Sequence, residues 1–529
     1  MNKLIYALPA AILMSGFSKA QELKEVVQPL SSKAVKGYMY DTRKGDDGSV
    51  YVTYQMKLNK KSDDITYEEY GFDKSLNFTG SKDVQEKKVD KPDFEKTYYY
   101  ATVGGTNSFD VLSMKLKLNK VVQLKTWNYA KQRFVTKKTI SRDVIKPNND
   151  DGKVYLGYAA YSSEDKPDVL TIAKADSKDK SVADKFCIAM FNKDLNLVEK
   201  PIDLNGKYSL VFSDQLSNED VVAIFAPVRG AADVSKYVYF RFDIEGNQKS
   251  RVEYSSPASA MLITASYDKD GNVYFFGSSG DSKESFERVY SEYAPIYNPG
   301  FTEGGENRLD AKWRKHLNEK MENIHLLKFS SNALDFASTS PVSEFKAKFK
   351  PAAGEKGAKA YNGKRFSVNN FYVTPAGEYL AAGQLIDDGN FSDLICFHFD
   401  TKGNLKAQYG VNKMNTDKKS EVFRTINNFY VTSDNNICWE LLEVKGVKGY
   451  ESFMDAYNGE ATFYPLYFPR VAKIDMNATT VSAFKTMGNE KYFLRRDFLP
   501  MYDEKEKSVI YFGHDEDYKK LWVGKMMIP

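Results

Sequence analysis

Cysteine is nearly absent, with Cys187, Cys396 and Cys438 the only three in 529 residues. So few exclude a disulfide framework and a cysteine-based zinc site. Each lies in an apolar, strand-like run (Phe186-Cys187-Ile188, Ile395-Cys396-Phe397, Ile437-Cys438-Trp439). Buried, unreactive thiols are therefore expected, with one bridge as the alternative. Histidine is as scarce. His316, His325, His398 and His514 fall by pattern in a helix, two strands and a turn, with no His-x-x-x-His or His-Glu-x-x-His spacing. No metal and no cofactor is expected. There is no Gly-x-Ser-x-Gly elbow; Gly277-Ser278-Ser279-Gly280 lacks the spacing and the following helix. No glycine-rich phosphate loop leads into Lys-Ser/Thr. Neither sign of charge dominates, at 75 Lys plus Arg against 71 Asp plus Glu. That excludes a protein held to nucleic acid by phosphate attraction. Beyond the N-terminus no stretch approaches 18 apolar residues, so no membrane-spanning helix is expected.

The N-terminus carries an address. Met1-Asn2-Lys3 precedes an apolar run from Leu4 to Met14, then Ser18-Lys19-Ala20. A basic start, a short apolar core and small residues before a cut after Ala20 make a signal peptide over 1–20, leaving 21–529 as the exported domain, periplasmic or extracellular.

Aromatic residues are what the chain has in quantity, 36 Tyr and 34 Phe, too many for a disordered chain. They fall into repeats. Asn369-Asn370-Phe371-Tyr372-Val373-Thr374 recurs unchanged as Asn427-Asn428-Phe429-Tyr430-Val431-Thr432. A second signature joins a Phe-Asp or Phe-Asn to an Asn through a turn: Phe72-Asp73 to Asn77, Phe191-Asn192 to Asn196, Phe242-Asp243 to Asn247 and Phe399-Asp400 to Asn404. Asp caps its own backbone there, and Gly or Asn accepts positive φ. Between the turns, period-2 runs rich in Tyr, Phe, Val and Ile read as half-buried strands.

Eight paired runs can be counted: 50–56 with 65–72, 97–104 with 109–117, 153–161 with 185–192, 220–226 with 236–243, 272–277 with 323–329, 378–384 with 393–400, 436–443 with 469–475 and 508–513 with 520–528. At about 62 residues per unit, such units stack radially and close into a ring. With these turns between strands, the chain resembles secreted bacterial β-propeller repeat proteins with Asp-x-x-Gly-Asn strand turns. The resemblance implies a fold and no activity. The expected fold is all-β, a single β-propeller of eight blades, closed by pairing of the N- and C-terminal strands. Seven blades result if the unit at 97–117 joins its neighbour, and tandem β-sandwiches are the alternative architecture.

Two insertions interrupt the spacing, at about 283–322 and 445–468. The first holds Tyr293 and Tyr297 and predicts a helix over 306–322, with Leu309, Trp313, Leu317 and Met321 along one stripe. The second holds Tyr457, Tyr464 and Tyr467. These rings either form local mini-cores or, at Tyr293, Tyr297, Trp313, Tyr457, Tyr464 and Tyr467, a binding surface, since Tyr and Trp dominate interface hot spots. Asp268-x-Asp270-Gly271-Asn272 is a hairpin turn rather than a calcium loop, which needs its Gly at position 6 and a Glu at position 12.

These absences weigh against catalysis. The expected function is an exported, non-catalytic module that binds or scaffolds a protein partner in a bacterial cell envelope, with a glycan as the other ligand class. The alternatives are a secreted carbohydrate-active enzyme using carboxylates at the propeller funnel and a small-molecule sensor. The enzyme reading predicts a cluster of carboxyl groups with perturbed pKa in a deep pocket.

Overall fold

The structure, a computed structural model, describes, with short gaps, residues 23–88, 185–257, 262–279, 320–448 and 464–528. It also describes strands at 98–100, 121–128, 133–140, 153–161 and 169–175. The first strand, β1 (Leu23–Pro29), belongs to the last sheet. The sheets otherwise follow one another along the chain. The first is β2 (Tyr38–Lys44), β3 (Val50–Gln55), β4 (Asp64–Phe72) and β5 (Phe78–Lys87); the next is β6 (Tyr98–Tyr100), β7 (Val121–Asn128) and β8 (Arg133–Ile140). Then come β9 (Lys153–Tyr161), β10 (Val169–Ala175), β11 (Lys185–Phe191) and β12 (Leu197–Ile202). After them stand β13 (Tyr208–Gln215), β14 (Val221–Pro227), β15 (Lys236–Phe242) and β16 (Gln248–Ser255). The following sheet is β17 (Leu262–Tyr267), β18 (Val273–Ser279), β19 (Asn323–Phe329) and β20 (Leu334–Pro341). Next, β21 (Phe349–Pro351) lies parallel to the end of a sheet made of β22 (Phe366–Val373), β23 (Tyr379–Asp387), β24 (Asn390–Phe399) and β25 (Leu405–Val411). A larger sheet holds β26 (Ile426–Val431), β27 (Ile437–Lys448) and β28 (Tyr464–Asp475), with the short β29 (Thr480–Val481) and β30 (Lys485–Thr486) on β28. Through β31 (Tyr492–Leu494) it continues into β33 (Ser508–Asp515), β34 (Lys520–Met527) and β1, with β32 (Met501–Asp503) on β33. No sheet among the described residues closes on itself.

Burial explains the strand sequences. Middle strands are covered on both faces, so β14 and β18 are buried at every position and read as continuous apolar runs. Outer strands such as β5 and β16 are polar and largely exposed, which blunts an edge against further pairing. The cores lie between successive sheets. Phe276, Leu326, Phe366 and Phe397 fill one, and Leu394, Tyr409, Phe429 and Trp439 fill the next. The sheet β22–β25 thus packs on both its neighbours, where a sandwich would pair its sheets two by two. The last sheet packs on the first, Ile510, Phe512 and Val523 sharing a core with Val50, Val52 and Phe72. At the same place β1 runs antiparallel to β34, from Leu23 opposite Met526 to Pro29 opposite Lys520. The leading strands of neighbouring sheets also meet: β9 with β13, β13 with β17, and β22 with β26.

The repeated turn has one geometry. After β15, Asp243 N–H donates to Asn247 O at 3.0 Å, Asn247 N–H donates back to Asp243 Oδ1 at 2.8 Å, and the Asn247 amide donates to Asp243 Oδ2 at 2.9 Å. Asp73/Asn77, Asp268/Asn272 and Asp400/Asn404 do the same. The fourth residue has φ of +58° to +79° (Leu76, Gly246, Gly271, Gly403), which is why three of the four are Gly. Asp268 therefore spends its oxygens inside a hairpin turn.

Several expectations are corrected. Strand β10 stands between 153–161 and 185–191, so those runs are not partners. Residues 320–322 of the expected helix are not helical, and 306–319 lie outside the described residues, as do 101–120 and the signal peptide. Strands β27 and β28 extend to Lys448 and from Tyr464, so the ends of the 445–468 insertion are a long hairpin. His514 lies in β33 rather than a turn. None of the three cysteines forms a disulfide; Cys396 and Cys438 are buried and Cys187 half-buried. Burial pushes the Cys396 thiol well up, keeping it protonated.

Candidate functional site

The identical hexapeptides form β22 and β26, leading strands of neighbouring sheets, and their asparagines bond across the gap. Asn427 Nδ2 donates to Asn369 Oδ1 at 2.7 Å, and Asn370 Nδ2 donates to the Asn427 carbonyl at 2.6 Å. Asn369 Nδ2 donates to the Thr425 carbonyl at 2.5 Å. From the other side Trp439 Nε1 donates to Asn427 Oδ1 at 2.9 Å. The β22–β23 register shifts between Val368 and Asn370. This bulge at Asn369 brings two consecutive amides toward β26, as bulges next to functional sites re-aim side chains.

Asn369 and Asn370 also line a cavity of about 250 Å³, with Ser266, Tyr274, Phe276, Val368 and Phe371. It opens between β17, β18 and β22. Tyr274 and Phe371 pack at 5.4 Å between ring centres. Tyr274 O–H donates to Asp268 Oδ2 at 2.7 Å, and burial together with that carboxylate pushes the phenol far up. Both amide nitrogens are engaged in the ladder. Among the described residues, no protein group bonds Ser266 Oγ or Asn370 Oδ1.

The ladder continues one residue on. Asn428 Nδ2 donates to Glu440 Oε2 at 2.8 Å, and Tyr430 O–H donates to the same oxygen at 3.0 Å. Tyr511 O–H donates to Glu440 Oε1. Glu440 is fully buried in β27. Its described hydrogen-bond partners are neutral, and no described cation forms an ion pair with it. Burial without a counter-charge raises its pKa, only partly offset by the three donors. The Tyr430 ring packs at 5.0 Å on Tyr502, which is 38% exposed. Burial, with smaller contributions from Tyr502 and Glu504, raises the Tyr372 hydroxyl; Glu504, two residues beyond Tyr502, is exposed. The site is thus an aromatic and amide cavity joined through four asparagines to an uncompensated acid.

Three other buried titratable groups are paired within the protein. Arg470 bridges Glu443 at 2.9 Å and Glu355 at 3.3 Å. His398 lies between Tyr409 O–H and Glu378, 2.8 Å from each. His325, pushed down to about 4 by burial, contacts Ser279 and Thr339.

The residues singled out in the insertions are not brought together here. Tyr293, Tyr297, Trp313 and Tyr457 lie outside the described residues. The backbone of Tyr464 stands opposite Lys448 at the start of β28. Tyr467 is corrected to a core residue: it is 2% exposed and donates its hydroxyl to the Arg424 carbonyl at 3.1 Å. Glu440 lies inside the run 436–443, and sequence reasoning does not single it out. Its signal is a carboxylate in the buried, mostly apolar first half of β27, a stretch that also holds Glu443.

No family model matches the chain, and no curated protein does. Similar solved structures include an α-L-arabinanase of Penicillium chrysogenum complexed with arabinobiose, at 8% identity, TM-score 0.26, over 70% of this chain and 94% of that one. Another is the Synechocystis apocarotenoid oxygenase, at 7% identity, TM-score 0.30, over 96% and 91%. A third is the NanB sialidase of Streptococcus pneumoniae, at 7% identity, TM-score 0.28, over 94% and 70%. All three are enzymes. The expectation of a non-catalytic binding and scaffolding module is corrected on that finding, and with it the weight against catalysis. At these TM-scores the likeness assigns no substrate and no residue to this chain. Among the described residues no helix is long and apolar enough to cross a membrane.

Proposed function

We propose that the chain is an exported carbohydrate-active enzyme that hydrolyses a glycosidic bond at the face formed by β22, β26 and β32. The reading takes the fold as one ring of eight sheets closed where β1 pairs with β34, with the leading strands turned toward its middle. The observation that carries it is Glu440. Its described hydrogen-bond partners are neutral donors, and no described cation pairs with it. Burial keeps it protonated at a pH where other glutamates are ionised. Glycoside cleavage needs such an acid and a second, ionised carboxylate, for which Glu504 is the available group. Glu440 does not reach solvent itself, so the Tyr430 hydroxyl relays. It turns its own hydrogen to the leaving glycosidic oxygen as its oxygen takes the Glu440 proton, leaving Glu440 a carboxylate. Meanwhile Glu504 takes a proton from the water that attacks the anomeric carbon.

The test is a hydrolysis screen of the mature protein on pentose, hexose and sialic acid glycosides, repeated with Glu440→Gln. Turnover by the wild type that falls about a hundredfold or more in the variant supports the reading. No turnover on the whole panel, or a variant as active as wild type, overturns it.

A further inference from the structure

The cavity beside the asparagine ladder has a chemistry that selects its occupant. At about 250 Å³ it falls below the roughly 300–1,000 Å³ of pockets for drug-sized ligands, which suits a single ring rather than an extended chain. Tyr274, Phe276 and Phe371 give it aromatic walls on which the C–H face of a sugar can lie. Its polar atoms without a protein partner among the described residues are the Ser266 hydroxyl and Asn370 Oδ1. Together they accept from two hydroxyls and donate to one. The amide hydrogens of Asn369 and Asn370 shown above are committed to β26 and cannot turn to a ligand without breaking the ladder.

Charge is what the lining lacks. Its members are serine, asparagine, valine and aromatic residues, with no Lys, Arg or His among them. The carboxylate behind the wall is Asp268, held on Tyr274. A bound anion would lose its hydration, meet no cation and face that negative charge, an arrangement that disfavours it strongly.

We propose that this cavity is a subsite for one neutral sugar ring and rejects uronic and sialic acids. The assignment rests on the carbohydrate reading above and narrows it to neutral glycans whose terminal ring enters the cavity.

The experiment is saturation-transfer NMR and calorimetry on the mature full chain at millimolar sugar. Glucose, galactose and xylose are compared with glucuronic acid and N-acetylneuraminic acid. At least one neutral sugar is expected to bind, with both acids about tenfold weaker or more. Ser266→Ala, which removes a hydroxyl that bonds no described group and so spares the fold, should weaken the neutral sugar about tenfold, the loss of a well-placed hydrogen bond. Ser266→Phe should fill the cavity and abolish binding. The proposal is overturned if an acid binds as well as the neutral sugars, if Ser266→Phe binds like wild type, or if no sugar binds. Neutral sugar binding without any glycosidase activity would overturn the enzyme reading alone. Hydrolysis confined to acidic glycosides would overturn the subsite alone.

Discussion

Asn427 gives an amide hydrogen to Asn369 Oδ1 at 2.7 Å, so the first residues of two copies of one hexapeptide hold each other. The Asn427 oxygen meanwhile takes the indole hydrogen of buried Trp439. A side chain used at both ends and 1% exposed has no spare water to fall back on.

Asn427→Leu should therefore leave the Trp439 N–H and Asn369 Oδ1 unsatisfied and lower stability by about 2–4 kcal/mol. Urea denaturation measures it. A double-mutant cycle with Asn369→Ala should return a coupling of about 0.5–3 kcal/mol; additivity would show that the two amides do not cooperate.

The turns offer a paired comparison. Gly403 and Gly377 share nearly the same φ, +79° and +77°. A Cβ at Gly403 would stand 2.5 Å from a ring carbon of Phe336, whereas at Gly377 its nearest neighbour is a methyl of Thr401 at 3.7 Å. Alanine at Gly377 should pay only the left-handed conformation, roughly 1–2 kcal/mol. Alanine at Gly403 should lose more, because the Phe336 ring must move as well. Equal melting temperatures for the two variants would contradict the packing.

Glu440 predicts a pH dependence. Its folded pKa is raised above the unfolded value of about 4.3. Its contribution to stability is therefore full below that unfolded value and is lost as pH rises through the folded one. Glu440→Gln carries no such proton, so the stability of the variant relative to wild type should climb from pH 4 toward pH 8. The offset depends on how the new amide meets Asn428; the slope does not. A flat difference across that range would mean that Glu440 ionises freely in the folded protein.

The first strand should be indispensable. Deleting residues 21–30 uncovers the whole length of β34 and strips Trp522 Nε1 of its 2.9 Å bond to Glu25. An exposed, largely apolar edge invites pairing between molecules. Size-exclusion chromatography should show oligomers or loss of soluble protein, where a dispensable arm would leave a monomer with an unchanged melting temperature.

Which strands the sequence reveals follows from burial. The central hairpins β3–β4, β14–β15, β18–β19, β23–β24, β27–β28 and β33–β34 are legible because their apolar runs are bounded by Asp, Gly and Asn turns. Outer strands such as β5, FTGSKDVQEK, face water and carry no apolar period to read. β10, VLTIAKA, escaped between two stronger runs. The site was less legible for a different reason. The hexapeptide repeat was plain, but a repeat shows two similar segments, not that their side chains touch. Tyr467 was misread because period-2 aromatics on a buried strand and aromatics on a loop share a composition. Glu440 is visible only to a search for charges that a buried apolar stretch should not contain, a search that returns Glu443 as well.

The bond between Glu25 and Trp522 spans 497 positions, and this sets an order in time. During synthesis β1 emerges among the first strands, while the partner it needs is among the last. Joining such distant ends carries a loop-closure entropy of about 5 kcal/mol before any contact repays it, and contacts of this range fold slowly. Until then β1 waits as an unpaired edge and the sheet of β33 and β34 lacks its cover. A chain stalled or cut short anywhere before β34 is thus left with a permanent sticky strand. The same proximity makes the seam a natural hinge point for rearranging the gene: joining the two termini and opening the chain at the exposed turn around Lys402 should keep every sheet while turning its most distant pairing into a local hairpin.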